Sequence, residues 1–188
     1  MKQTVKYHLT GEAPLLMHNG QLADPLNSWA KAIKKITDKR KKTDADHEEI
    51  GRLEWTGSLY LLNGEPCIPR EASKATLLRA AMNLKKGPKV KAGIVCEAHT
   101  PLIYDGPRDI KALWNDEQFR DRRTKPMRGQ RVMRTRPIFF PWSADLILHF
   151  NDETLNPDEV DEIVHIGGHS IGLLEERPEY GRFTVQKL

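Results

Sequence analysis

Residues 3–10 alternate strictly, with Val5, Tyr7 and Leu9 apolar and the positions between them polar. A period of two puts such a set on one face of a half-buried strand. The pattern then stops. Residues 21–50 are polar and lysine-rich with Trp29 as their one aromatic, and the helical spacing of Trp29, Ile33 and Ile36 predicts a helix within residues 27–36. The short apolar run at 59–62 meets Asn63-Gly64, a hairpin turn signal, so a small hairpin should run through Ile68. Pro69 then leads good helix formers from Arg70 onward, and Gly87-Pro88 is expected to stop that helix.

Residues 93–104 read as two short strands broken at Pro101, and 105–129 as a second polar excursion. Residues 131–140 and 144–150 alternate again, and the break at Pro141-Trp142-Ser143 predicts that they pair with each other. Asn156-Pro157-Asp158-Glu159 has the chemistry of a helix start, with a capping amide, proline at the first position and acids at the positive end. Val160, Ile163 and Val164 supply its buried stripe, Gly167-Gly168 its end, and residues 181–188 a closing strand. Strand, helix, hairpin, helix, strand is the βαββαβ plan. The fold class predicted is α+β, a ferredoxin-like (RRM-like) core with long basic insertions, as one domain over residues 1–188. The insertions fall at 12–56 and 105–130.

Composition narrows the function. The chain has 188 residues, 38% hydrophobic and 30% charged, with a net charge of only +4. The distribution says more than the sum. Residues 31–42 hold seven Lys/Arg against Asp38, residues 120–136 hold eight against Asp121, and residues 151–180 hold nine acids against Arg177. Such asymmetry points to a polyanionic partner. Cys67 and Cys96 stand far apart without metal-ligand spacing, and the seven histidines form no HxH or HxxxH pattern, so neither a disulfide framework, a metal site nor a cofactor is expected. The N-terminus lacks a signal-peptide pattern and the chain has no apolar run of membrane-spanning length, so the protein is expected in the cytoplasm, away from membranes.

Three stretches resemble the CRISPR-associated RAMP superfamily, especially the backbone subunits that coat guide RNA. Leu9-Thr10-Gly11-Glu12-Ala13-Pro14-Leu15-Leu16 is similar to that family's first strand and the turn leaving it. Residues 64–79, with Pro66, Ile68, Pro69, Ser73, Lys74 and Arg79, resemble the segment G-x-P-x-I-P-G-S-S-L-K-G-x-x-R that introduces its first helix, departing from it at Arg70 and Ala75. Gly167-Gly168-His169-Ser170-Ile171-Gly172, continuing to Gly181-Arg182-Phe183, resembles its glycine-rich loop, although Leu173-Leu174-Glu175-Glu176 departs from the usual glycine-rich or basic run. The resemblance implies a single-stranded nucleic-acid-binding protein, RNA preferred, that self-associates along the strand and joins other CRISPR effector subunits. A phage or mobile-element single-stranded DNA-binding protein of the same fold is the alternative, and a RAMP-type endoribonuclease a further one.

The candidate binding residues follow. Ser73 and Lys74 begin a helix, whose free N–H groups attract phosphate, and Arg79 lies further along it. Gly167, Gly168 and Gly172 would let backbone approach a ligand closely. Arg122, Arg123, Lys125, Arg128, Arg131, Arg134 and Arg136 mix phosphate-binding forks with Met127 and Met133, and resemble the thumb-like element of the family. Lys34, Lys35, Lys39, Arg40 and Lys41 should attract phosphate without reading sequence. For catalysis, Asp24 matches the position of an acidic residue in target-cleaving relatives, and His18 is a candidate general acid or base. No partner base accompanies either, so a binding protein is favoured over an enzyme.

Overall fold

A computed structural model of the protein describes residues 1–127 and 129–188, without the Met127 side chain. In chain order its first elements are β1 (Lys2–Gly11), β2 (Leu15–Leu16), α1 (Ser28–Thr37), α2 (Asp44–Ser58), β3 (Leu61–Leu62), β4 (Glu65–Ile68), α3 (Arg70–Asn83) and α4 (Gly87–Gly93). There follow β5 (Ile94–Val95), β6 (Thr100–Pro101), β7 (Ile103–Tyr104), α5 (Ile110–Asn115), β8 (Arg120–Met127), β9 (Gln130–Phe139), β10 (Trp142–Asn151), α6 (Pro157–Ile166) and β11 (Phe183–Lys187). Contacts divide the chain into two compact units. Unit 1 comprises Met1–Leu15, Leu61–Asp105 and Phe140–Leu188, and unit 2 comprises Leu16–Tyr60 and Gly106–Phe139.

Unit 1 carries the ferredoxin-like core. Its main sheet runs β11-β1-β10-β5, and each neighbouring pair is antiparallel. With α3 between β1 and β5, and α6 between β10 and β11, this is the βαββαβ order, interrupted by long segments after β1 and after β5. Alternation fixes the register: Val5 faces Leu148, Tyr7 faces Leu146 and Leu9 faces Ala144, so all six fall on one side of the sheet. Leu77 and Ala80 of α3 and Val160, Ile163 and Val164 of α6 are buried, supplying the helical share of the core. The start of α6 forms as the sequence predicts, with Asn156 and Glu159 closing a reciprocal capping box.

The small hairpin forms as predicted, with β3 pairing β4 around Asn63 and Gly64, both at positive φ. Two local expectations are corrected here. Gly87-Pro88 does not simply stop the helix begun at Arg70; α3 ends at Asn83, and α4 begins at Gly87 with Pro88 in its first turn. Residues 131–140 do not pair with 144–150, because β10 takes β1 as its partner.

In unit 2, β9 pairs instead with β8 in a long antiparallel hairpin, from Arg120↔Pro137 to Met127↔Gln130. The polar excursion at 105–129 thus contains both α5 and a strand. A third correction concerns α2. Residues 44–58 form a full helix whose start is a capping box between Thr43 and Asp46, where the sequence reading placed only polar insertion. This helix packs against both α1 and β9. Its Trp55 is fully buried, donates from Nε1 to the Phe119 carbonyl at 2.8 Å, and meets Trp114 edge to face at 5.5 Å. Phe119 and Phe139 pack beside one another at 5.6 Å, so the two long insertions share an aromatic core.

Among the described residues no helix is long and apolar enough to cross a membrane. Cys67 and Cys96 are free and buried, and burial pushes both thiols up to about 11.

Candidate nucleic-acid interface

Charge separates between the units. Unit 2 holds 18 Lys/Arg against 11 Asp/Glu, a net +7, whereas unit 1 holds 12 against 15, a net −3. The basic runs at 31–42 and 120–136 both belong to unit 2, and the acidic run at 151–180 belongs to unit 1.

Formal charge is not free charge, and ion pairs decide which cations face solvent unsatisfied. On the hairpin, Asp121 takes Arg123 at 2.7 Å and Arg136 at 3.3 Å. Glu54, itself 4% exposed, takes Arg134 at 2.5 Å and the Thr135 amide at 2.9 Å. Arg123, Arg134 and Arg136 therefore each engage an acid of the protein, and Arg136 is buried outright. Arg122 is half-exposed and meets Glu48 at 3.4 Å, a surface pair weak enough for a phosphate to displace. Lys125 is half-buried, and Arg131 is exposed next to Met133 with no ion-pair partner among the described residues. Arg128 lies outside the described residues.

The lysine-rich run begins in α1, whose Trp29, Ile33 and Ile36 form the half-buried stripe that the spacing predicts. Lys34 and Lys35 sit exposed in its last turn, where the helix dipole favours cations. Lys39 is tied to Asp46 at 2.5 Å, and that hydrogen bond, with the Thr43 amide, draws the Asp46 carboxyl down to about 2. Arg40 and Lys41 are exposed without an acid partner among the described residues. Five cations of unit 2 are thus both exposed and unpaired among the candidates: Lys34, Lys35, Arg40, Lys41 and Arg131.

At the helix-start segment of unit 1, Ser73 and Lys74 are engaged by protein groups. Ser73 is 3% exposed, and its amide donates to the Pro69 carbonyl at 3.2 Å. Lys74 Nζ donates to the carbonyls of Val90, at 2.6 Å, and Ile94, so it caps the C-terminal end of α4, and burial lowers its affinity for the proton. Arg79 alone of the three is exposed, on α3.

The glycines are likewise spent on packing. A Cβ on Gly167 would press on Thr76 at 3.3 Å, and one on Gly168 would sit 2.2 Å from the Phe183 carbonyl oxygen of β11. Gly172, at φ +81, would bring a Cβ to 2.7 Å from the Tyr180 carbonyl, and its own carbonyl accepts from Thr76 Oγ1 at 2.8 Å. All three are buried against protein, which is why no side chain fits. Gly168→Ala is expected to cost about 1–3 kcal/mol by forcing β11 to shift. Gly20→Ala, where a Cβ meets nothing within 4 Å, should change stability by less than about 0.5 kcal/mol. Chemical denaturation of the two variants side by side checks this, and an equally stable Gly168→Ala protein would return the loop to the candidate binding surface.

Of the catalytic candidates, His18 Nδ1 lies 3.3 Å from Ser58 Oγ, and exposed Asp24 closes a turn by accepting the Leu26 amide at 2.9 Å. Among the described residues no group of three or more His, Cys, Asp or Glu could hold a metal ion. The acids of unit 1 are partly occupied as well: Lys86 meets Glu159 at 3.2 Å and Glu162 at 3.7 Å, and Lys187 meets Asp161 at 2.7 Å.

The sequence reading missed a pocket of about 280 Å³ in unit 2, lined by Glu48, Trp114, Glu117, Arg120, Arg122 and Thr135. Trp114 was the available signal, an aromatic in an otherwise polar excursion.

No family model matches the sequence, and no curated protein matches it. Among solved structures the chain is similar to the crystal structure of Cmr6 from Pyrococcus furiosus, with 10% identity and a TM-score of 0.41 over 99% of each chain.

Proposed function

We propose that this protein binds single-stranded nucleic acid, RNA in preference to DNA, on the exposed cations of unit 2, and that copies associate along the strand. The observation that carries this reading is the segregation of charge, +7 in unit 2 against −3 in unit 1, together with five candidate cations there that no acid engages among the described residues. Phosphates give such a surface affinity without sequence preference, through release of condensed counterions. Arg131 and exposed Met133 on the hairpin add a fork for phosphate and an apolar contact for a base. The resemblance to RAMP backbone subunits in the motifs at residues 9–16, 64–79 and 167–183 supports RNA as the strand and other CRISPR effector subunits as partners.

Self-association follows from the smallness of the footprint. A few phosphate contacts give modest, salt-sensitive affinity, and neighbouring copies on one strand raise it through local concentration. Contacts between unlike surfaces of successive copies need not close into a ring. The test is fluorescence anisotropy with RNA and DNA oligomers of one sequence at one salt concentration, with sedimentation of complexes on strands of increasing length. Tighter binding to RNA and complexes that grow with length are the expected results. Tighter binding to DNA would favour the single-stranded DNA reading, and a single copy bound at every length would remove self-association.

A further inference from the structure

The pocket in unit 2 differs from the surrounding cationic surface in one respect: its charges cancel. Arg120 and Arg122 are matched by Glu48 and Glu117, so the lining has no net attraction for phosphate. What it offers is a pattern of donors and acceptors beside an indole. The Arg120 guanidinium lies over the Trp114 ring at 4.8 Å and is held by Glu117 at 3.0 Å and Glu48 at 3.6 Å. Arg120 Nε is buried and has no hydrogen-bond partner among the described residues. Glu117 is 92% exposed at its side chain and among the described residues pairs only with Arg120, and Arg122 is 51% exposed with Glu48 its ion-pair partner.

A ligand that fits must be flat, must present donors to a carboxylate, and must present acceptors to a guanidinium. Among the nucleobases guanine alone offers two adjacent donor atoms to the two oxygens of one carboxylate together with an acceptor pair for a guanidinium fork. Its N1–H and exocyclic N2–H₂ are adjacent donors that match the two oxygens of a carboxylate, and its O6 and N7 are the acceptor pair that arginine grips in a bidentate fork. Adenine and cytosine place a ring-nitrogen acceptor toward the carboxylate, and uracil flanks its single donor with two carbonyls. A volume of about 280 Å³ has room for a purine base.

We infer that this pocket of unit 2 is a guanine-binding site, in which Glu117 accepts from N1–H and N2–H₂, Arg122 donates to O6 and N7, and the planar Arg120 guanidinium, resting on the Trp114 ring, provides the stacking surface. The inference rests on the nucleic-acid-binding reading for its biological source, a guanine turned out of a bound single strand, but its chemistry is equally that of a free guanine nucleotide. It assigns the protein a preferred base at one position of a strand otherwise held without regard to sequence.

The experiment uses the full chain and two kinds of probe. Tryptophan fluorescence follows titration with GMP, AMP, CMP and UMP, and anisotropy compares an all-uridine oligomer with the same oligomer carrying one central guanosine or one central adenosine. The expected result is GMP bound about tenfold or more tightly than AMP, and a gain of about tenfold for the guanosine strand over the adenosine strand, as one good bidentate contact supplies. Glu117→Gln should bring the guanosine strand down to the adenosine strand, and Trp114→Ala should weaken GMP binding by about tenfold. Equal affinity for the four nucleotides together with equal affinity for the three strands would overturn the guanine site while leaving strand binding intact. Binding of GMP by a protein that holds no strand would support the pocket and overturn the strand-binding reading. A guanosine preference that survives Glu117→Gln would overturn the assignment of the carboxylate.

Discussion

Replacing Lys34, Lys35, Arg40, Lys41 and Arg131 together with glutamine is expected to weaken binding to a single-stranded RNA oligomer by at least about a hundredfold at low salt. Each cation that neutralises a phosphate contributes roughly 0.7 to the log–log salt slope on a single strand, so five of them account for a slope near 3.5. All five are exposed, and none holds an acid among the described residues, so their loss removes charge without breaking an ion pair. Circular dichroism and melting of the variant should match the wild type. As a counterpart, Arg136→Gln touches a residue 5% exposed and paired with Asp121, and its effect should fall on stability instead. Weakening of RNA binding by Arg136→Gln, with the fivefold variant unaffected, would place the strand elsewhere.

The second large effect is on folding. Trp55→Ala should destabilise the protein by about 3–5 kcal/mol, the range for emptying a large aromatic site in a close-packed core. Trp55 is 0% exposed, and its indole N–H satisfies the Phe119 carbonyl next to the first residue of β8. Its loss leaves that carbonyl without its indole donor and removes the ring that Trp114 contacts at 5.5 Å. Urea denaturation monitored by circular dichroism measures it. A loss below about 1 kcal/mol would mean that the two insertions do not share a core, whatever their sequence composition suggests.

Periodicity was a sound guide where one face of an element is wholly apolar. The buried faces of β1 and β10 and the start of α6 could be read directly, because strict alternation and the Asn156-Pro157-Asp158-Glu159 start have few alternative explanations. The same signal was weaker in α2, whose apolar stripe is short and shares its buried side with Glu54. Thr43-x-x-Asp46 was present as a start signal, but the lysines before it drew attention to charge.

Pairing was the harder question. Residues 131–140 lie next to 144–150 in sequence, so a hairpin between them is the simplest topology, yet their true partner is the arginine-rich β8, which has low strand propensity on paper. What stabilises β8 is tertiary: Asp121 gathers Arg123 and Arg136 while Glu48 meets Arg120 and Arg122 from α2. Acids distant in sequence decide which basic residues remain available. For that reason the cationic runs were legible as a site, but the division into free and structural cations was not. The glycines at 167, 168 and 172 show the same limit, since their need for space is evident from sequence while the identity of the neighbour, Phe183 or Tyr180 rather than a phosphate, is not.

The most direct measurement is the affinity of the wild-type protein for one single-stranded RNA oligomer across salt concentrations from about 50 to 200 mM. Binding through the five exposed cations of unit 2 predicts a straight log–log plot falling with a slope of roughly −3.5. A flat plot would contradict the account, because a strand held without counterion release is not held by those cations.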